Sequence, residues 1–127
     1  MLEKMPHHID VNVETAYIEN QSIPEKGRFV FAYTIKIKNV GSHSAKLLNR
    51  HWIITDANGK VEEVRGQGVV GQQPHLNPGD EFQYTSGAIL ETPVGTMQGN
   101  YEMVSPEGVK FAAEIPVFRL SVPQVLH

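Results

Sequence analysis

A glycine-rich stretch followed at once by two prolines and a Pro-Gly turn is what most limits the folds open to this chain. The stretch Arg65-Gly66-Gln67-Gly68-Val69-Val70-Gly71 has the Gly-x-Gly-x-x-Gly spacing of a dinucleotide-binding loop. Such a loop works by turning a strand tightly into a helix, whose first amides then hold a pyrophosphate. Here the chain runs on as Gln72-Gln73-Pro74-His75-Leu76-Asn77-Pro78-Gly79-Asp80. Proline has neither the amide nor the backbone freedom that a helix interior needs. A helix has no room to start, so the glycines serve a chain that stays extended or coiled.

The rest of the sequence alternates with a period of two, the mark of strands with one buried face. Ile9, Val11, Val13 and Tyr17 alternate with Asp10, Asn12 and Glu14. Phe29, Phe31, Tyr33, Ile35 and Ile37 form the longest clean run, and its second face changes from Val30 and Ala32 to Lys36 and Lys38. That change predicts a strand covered on both sides early and wet on one side later. In the run Lys46 to Asp56, alternation puts Leu48, Trp52 and Ile54 on one face and Leu47, Asn49, His51, Ile53 and Thr55 on the other. Asn58-Gly59 then predicts a two-residue type I′ hairpin, in which both central residues have positive φ, with a return strand Lys60 to Arg65. Further strands are expected at Glu81 to Ser86, at Met97 to Val104 and, after the Ser105-Pro106-Glu107-Gly108 turn, from Val109 to Val117. Pro116 and Pro123 make the closing segment an edge strand or an unpaired tail, because proline cannot donate to a ladder.

About seven short strands without helical periodicity predict an all-β fold, an antiparallel β-sandwich of the immunoglobulin or fibronectin type III kind. Trp52 is placed to fill the space between two sheets ~10 Å apart. The chain of 127 residues is expected to be one domain over 1–127, with its core at about 9–120 and short flexible tails. It has no cysteine, which excludes disulfides, thiolate metal sites and a cysteine nucleophile, and suits a reducing cytoplasm. Neither a secretion signal nor a membrane-length apolar run is evident, so a cytoplasmic location and no membrane association are expected. A net charge of −3 with scattered charges offers no basic face for nucleic acid.

Four blocks carry a family resemblance: Arg50-His51-Trp52-Ile53-Ile54-Thr55-Asp56 with Asn58-Gly59, Gly66-Gln67-Gly68-Val69-Val70-Gly71-Gln72-Gln73-Pro74, Tyr84-Thr85-Ser86-Gly87, and Gly95-Thr96-Met97-Gln98-Gly99 followed by Tyr101. In these the chain resembles the ApaG family of small bacterial proteins, a domain also found in an F-box protein and a polymerase-delta-interacting protein. The resemblance implies a fibronectin type III-like sandwich and a standalone binding or interaction domain. It also implies, by genomic association, links to dinucleoside polyphosphate metabolism and divalent-cation efflux. One departure is Gln67, where many members carry Glu.

Three chemistries compete for the glycine loop and its neighbours. The amides of Gly68 to Gly71 can form a nest for a phosphate, with Arg50 and Arg65 as the local cations, or the glycines can supply positive φ where the chain crosses between sheets. A metal site would need His paired at strand spacing with another ligand; of six histidines, only His51, beside Asn49 and Thr55, approaches this, and no metal is expected. Tyr84-Thr85-Ser86-Gly87 carries hydroxyls but no nucleophile elbow, so cross-strand hydroxyl pairing is expected and catalysis is not. The residues singled out are therefore Gly66, Gly68 and Gly71 for shape, and Arg50, Arg65 and His51 as polar contacts. The function expected is a non-enzymatic binding or adaptor domain without a cofactor, facing a protein partner and open to forming a homodimer. The alternative is a small-molecule site for phosphate or a nucleotide polyphosphate, or one linked to divalent cations.

Overall fold

The structure, a computed structural model, describes residues 5–123. His127 and the first four residues, on which part of the tail and signal expectations fall, lie outside that range. Eight strands follow in order: β1 Ile9–Tyr17, β2 Phe29–Asn39, β3 Ala45–Asp56, β4 Val61–Gln67, β5 His75–Leu76, β6 Glu81–Leu90, β7 Val94–Val104 and β8 Lys110–Ser121. They form two antiparallel sheets, β1-β2-β6 and β4-β3-β7-β8, with β5 paired to the start of β3. This is the all-β sandwich expected from the alternation. Among the described residues no helix is long and apolar enough to cross a membrane.

The inner faces supply the core. Phe31, Ile35 and Ile37 from β2 meet Leu47 and Trp52 from β3, Met97, Tyr101 and Met103 from β7, and Leu120 from β8, all at most 2% exposed. Burying a large apolar side chain stabilises a fold by ~1.5–3 kcal/mol, and the Trp52 ring has the most aromatic neighbours. It packs edge-on against Tyr33, Phe118 and Tyr101, with centroids 5.3, 5.8 and 6.4 Å away. On the far face of β2, Val30 is buried and Lys36 exposed, as its two-sided pattern predicts.

Four local expectations are corrected. A β-bulge at Leu48 interrupts the pairing of β3 with β7 between Leu47 and Asn49. It shifts the parity, so Leu47 rather than Leu48 shares the buried face with Trp52. The hairpin at Asn58-Gly59 forms, but with a three-residue loop: Asp56 N–H donates to Lys60 O, and only Gly59 has positive φ, at 82°. The Asp56 carboxylate selects this turn by accepting from the amides of both Asn58 and Lys60. Pro116 lies within β8, which is an edge strand as predicted but continues to Ser121. The proline falls where the pairing with β7 shifts register between Met97 and Gly99, so its missing amide breaks no ladder. Finally, the glycine loop does not cross between sheets. It joins β4 to β5, both neighbours of β3, and the crossing to β6 follows at Asn77–Asp80.

Candidate functional site

β3 and β4 pair with Arg50 opposite Gly66 and His51 opposite Arg65. Because Trp52 faces inward, Arg50 does too, and it reaches the open edge of the sandwich beside Gly66. A Cβ on Gly66 would stand 2.6 Å from the Arg50 guanidinium carbon. Glycine there leaves the space that the guanidinium fills. Arg50 Nη1 donates to Gln67 O at 3.0 Å and Gly68 O at 2.9 Å, so the arginine anchors the start of the loop.

Beyond this anchor the loop is tightly bonded. The Gly68 amide donates to Leu48 O at 2.8 Å, and Gln73 Nε2 donates to the same carbonyl at 3.0 Å. The carbonyl at the bulge is thus satisfied by the loop. Gly68 has φ 63°, and a Cβ on it would meet Gln72 O at 2.4 Å. Val69 is buried in the core, and Val69 and Gln72 exchange two backbone hydrogen bonds of 2.8 and 2.9 Å. Between them Val70 and Gly71 take φ 43° and 79°, the signs of a type I′ turn. Val70 is the one non-glycine residue with positive φ among those described, and it is 54% exposed. A β-branched side chain is disfavoured in that region, so the turn holds local strain.

This geometry bears on the phosphate-nest reading. Two of its four amides, those of Gly68 and Val69, already donate to carbonyls within the protein. The chain after Gly71 forms no helix, so no bundle of free amides points at the bend. The dinucleotide pattern is a spacing without its physical context.

The six singled-out residues fall into two groups. Arg50, His51, Arg65 and Gly66 line one hollow of about 420 Å³, together with Asn49, Asn100 and Glu102. Gly68 and Gly71 line a smaller hollow of about 210 Å³ with Gln67, Gln72 and Gln73. Between the sheets, a cleft of about 320 Å³ lies under Val69, Val70 and Gly71 and over Tyr33, Trp52, Tyr84 and Ser86, with Arg50 beside it. Arg50 therefore borders both the first hollow and the cleft.

The first hollow is built on charge. Glu63 Oε1 lies 2.7 Å from His51 Nε2 and 2.8 Å from Arg65 Nη2. The hydrogen bond from His51, then that from Arg65, holds the Glu63 carboxyl below the usual carboxylate range. Asn49 Nδ2 donates to Glu102 Oε1 at 2.9 Å. No group of three or more His, Cys, Asp or Glu among the described residues is arranged to hold a metal ion. Thr34 and Thr85 share a hydroxyl hydrogen bond of 2.8 Å, the cross-strand pairing expected of the Tyr84-Thr85-Ser86 segment. Tyr84 and Tyr101 join their hydroxyls inside the sandwich, and burial pushes both phenols up, so both stay protonated.

Sequence reasoning missed Glu63, Asn100 and Glu102 as partners, and Val70 as a strained tip. The register of the β3-β4 hairpin was the available signal for Glu63. Val70 carries none, since valine is not a residue that marks a type I′ turn.

The sequence profile of the ApaG domain matches residues 19–105. The chain belongs to the ApaG domain family. The protein ApaG of Thiobacillus denitrificans is 58% identical over 127 residues, the whole of both chains. The protein ApaG of an Enterobacter species is also 58% identical, over 92% of this chain and 94% of its own. Among solved structures, one described as an ApaA protein from Bordetella pertussis superposes with a TM-score of 0.93 at 49% identity, over 96% of this chain and 99% of that one. A fold of 7% identity from Archaeoglobus fulgidus, with a TM-score of 0.55, shares the architecture alone. In this ApaG-family chain the glycine block lies at the open β4 edge of the two-sheet sandwich.

Proposed function

We propose that this ApaG domain is a non-enzymatic binding or adaptor module that presents the Val69–Gln72 turn and the neighbouring faces of β3 and β4 to a protein partner. The observation that carries this reading is Val70. An apolar side chain is held in a strained turn with about half its surface in solvent, at the rim of the cleft over Tyr33 and Trp52. Strain of this kind persists where the surrounding structure over-determines it and clusters at binding sites. Arg50 braces the turn from behind, and His51 and Arg65 supply polar groups on the flanking face. A rigid scaffold carrying a small apolar tip with a charged rim fits the anatomy of a protein-binding surface.

A photo-crosslinking amino acid in place of Val70 tests this inside cells, with the same residue at the exposed Asn58, in the β3-β4 hairpin at the opposite end of these strands, as control. The reading expects one defined protein to be trapped from the Val70 position alone, and the trapping to be lost when Arg50→Ala is added. Equal trapping at both positions would defeat it. The phosphate reading is separated by titrating adenosine triphosphate, with and without magnesium, while following backbone amides. Shifts confined to Gly66 through Gly71 at micromolar ligand would favour it over the adaptor.

A further inference from the structure

Among the described residues nothing pairs with the outer edge of β4, and its hydrogen-bonding groups can be assigned from the bonds on its other side. Asp56 N–H donates to Lys60 O and Gly68 N–H to Leu48 O, with one register throughout the β3-β4 pair. In an antiparallel pair, residues that exchange hydrogen bonds alternate with residues that do not. Glu62, Val64 and Gly66 therefore bond to β3. Val61, Glu63, Arg65 and Gln67 direct their amides and carbonyls outward. Such an edge templates another strand unless something guards it. Glu62 is that guard: an exposed carboxylate on the inward parity of the strand, which most incoming strands would leave without a countercharge.

We infer that the β4 edge pairs antiparallel with the β4 of a second copy of this chain, with Val64 on the two-fold axis. In this register Glu63 lies opposite Arg65 of the second copy, and Arg65 opposite its Glu63. These are residues whose backbone groups point outward, so the pairs that match in charge also exchange hydrogen bonds. Sliding the strands by two residues sets Glu63 against Glu63, or Arg65 against Arg65, which like-charge repulsion disfavours. The same register sets Glu62 of the second copy opposite Gly66. That is the position whose missing side chain is replaced by the Arg50 guanidinium, 2.6 Å from where a Cβ would be. The guarding carboxylate thus meets a cation only against this chain's own sequence. The interface is isologous, as a two-fold dimer requires. It adds about eight main-chain hydrogen bonds and joins the two five-stranded sheets into one. This inference does not depend on the adaptor reading, since it uses the strand edge and not the turn.

Cysteine cross-linking tests it, because the native chain has no cysteine. Val64 faces its own symmetry mate in a non-hydrogen-bonded pair, whose Cα atoms lie ~4.5 Å apart, within disulfide range. Val61 lies ~20 Å from its mate in the same register, six residues along a strand. Under mild oxidation Val64→Cys is expected to form a covalent dimer at least ~10-fold faster than Val61→Cys, because held thiols meet at a high effective concentration. In sedimentation runs, Arg65→Glu should abolish the reversible dimer and Glu63→Arg with Arg65→Glu should restore it. Far-ultraviolet circular dichroism confirms that each variant is folded. A sedimenting monomer at every concentration, equal cross-linking at both positions, or no recovery in the double reversal would each overturn the inference. The first of these would leave the edge to a strand from another protein.

Discussion

Alanine at Gly68 and at Gly71 separates two roles of glycine that the spacing motif does not distinguish. Both residues have positive φ, 63° and 79°. A Cβ in that region costs ~1–2 kcal/mol, offset by ~0.4–1 kcal/mol from the stiffer unfolded chain. At Gly71 a Cβ would meet nothing within 4 Å, so Gly71→Ala should cost only ~0.5–1 kcal/mol. At Gly68 it would stand 2.4 Å from Gln72 O, a backbone atom that accepts the Val69 amide at 2.8 Å. Relief requires a shift of about 1 Å, which weakens that bond by ~0.5–1.5 kcal/mol and adds overpacking strain of ~1–3 kcal/mol. Gly68→Ala should therefore lose ~2–5 kcal/mol in total. Urea unfolding followed by the fluorescence of the single tryptophan, Trp52, reads both variants with one buried probe. Equal midpoints for the two variants would refute the argument that the motif's second glycine is there for close backbone approach.

Two further predictions concern the polar groups. Tyr84→Phe should cost ~1–3 kcal/mol by leaving the buried Tyr101 hydroxyl without its partner, and the double change with Tyr101→Phe should cost less than the sum of the single changes; calorimetry of the four proteins closes the cycle. The Glu63 carboxyl has its folded pKa lowered by His51 and Arg65, so its contribution is present above the ordinary glutamate value of ~4.3 and is lost as pH falls through the lower folded value. Stability curves of the native protein and Glu63→Gln should thus differ at pH 7 and converge in acid, with the gap at pH 7 reduced by salt because the carboxylate is exposed.

The strands and hairpins were legible because alternation and turn residues are local signals. Ile9 to Tyr17, Phe29 to Ile37 and the Ser105 to Gly108 turn all fold as their patterns require. The bulge was not legible. Leu47 and Leu48 are both apolar, so the sequence does not mark which residue is the extra one, and a single extra residue inverts every later assignment. Turn type failed for a related reason. At Asn58-Gly59 the side chain of Asp56 outweighed the dipeptide preference, and at Val70-Gly71 the flanking pair Val69 and Gln72 imposed a geometry that valine does not announce. For the candidate site, the inward parity of Arg50 follows from its spacing to Trp52 and was within reach. The service of Gly66 to Arg50 needed the register of two strands, which becomes visible only once the hairpin loop is known.

The edge of β3 is shared: its first residues belong to β5, and from Asn49 onward it belongs to β4. The handover falls at the bulge, where Leu48 O receives both Gly68 and Gln73. All the segment between them is tethered at its base and free at its apex. Lengthening the chain between Val70 and Gly71 would leave every bond at that base in place. The architecture therefore lets the turn vary in length at one point, in the way a tool handle accepts different heads, while the sandwich behind it keeps its sequence.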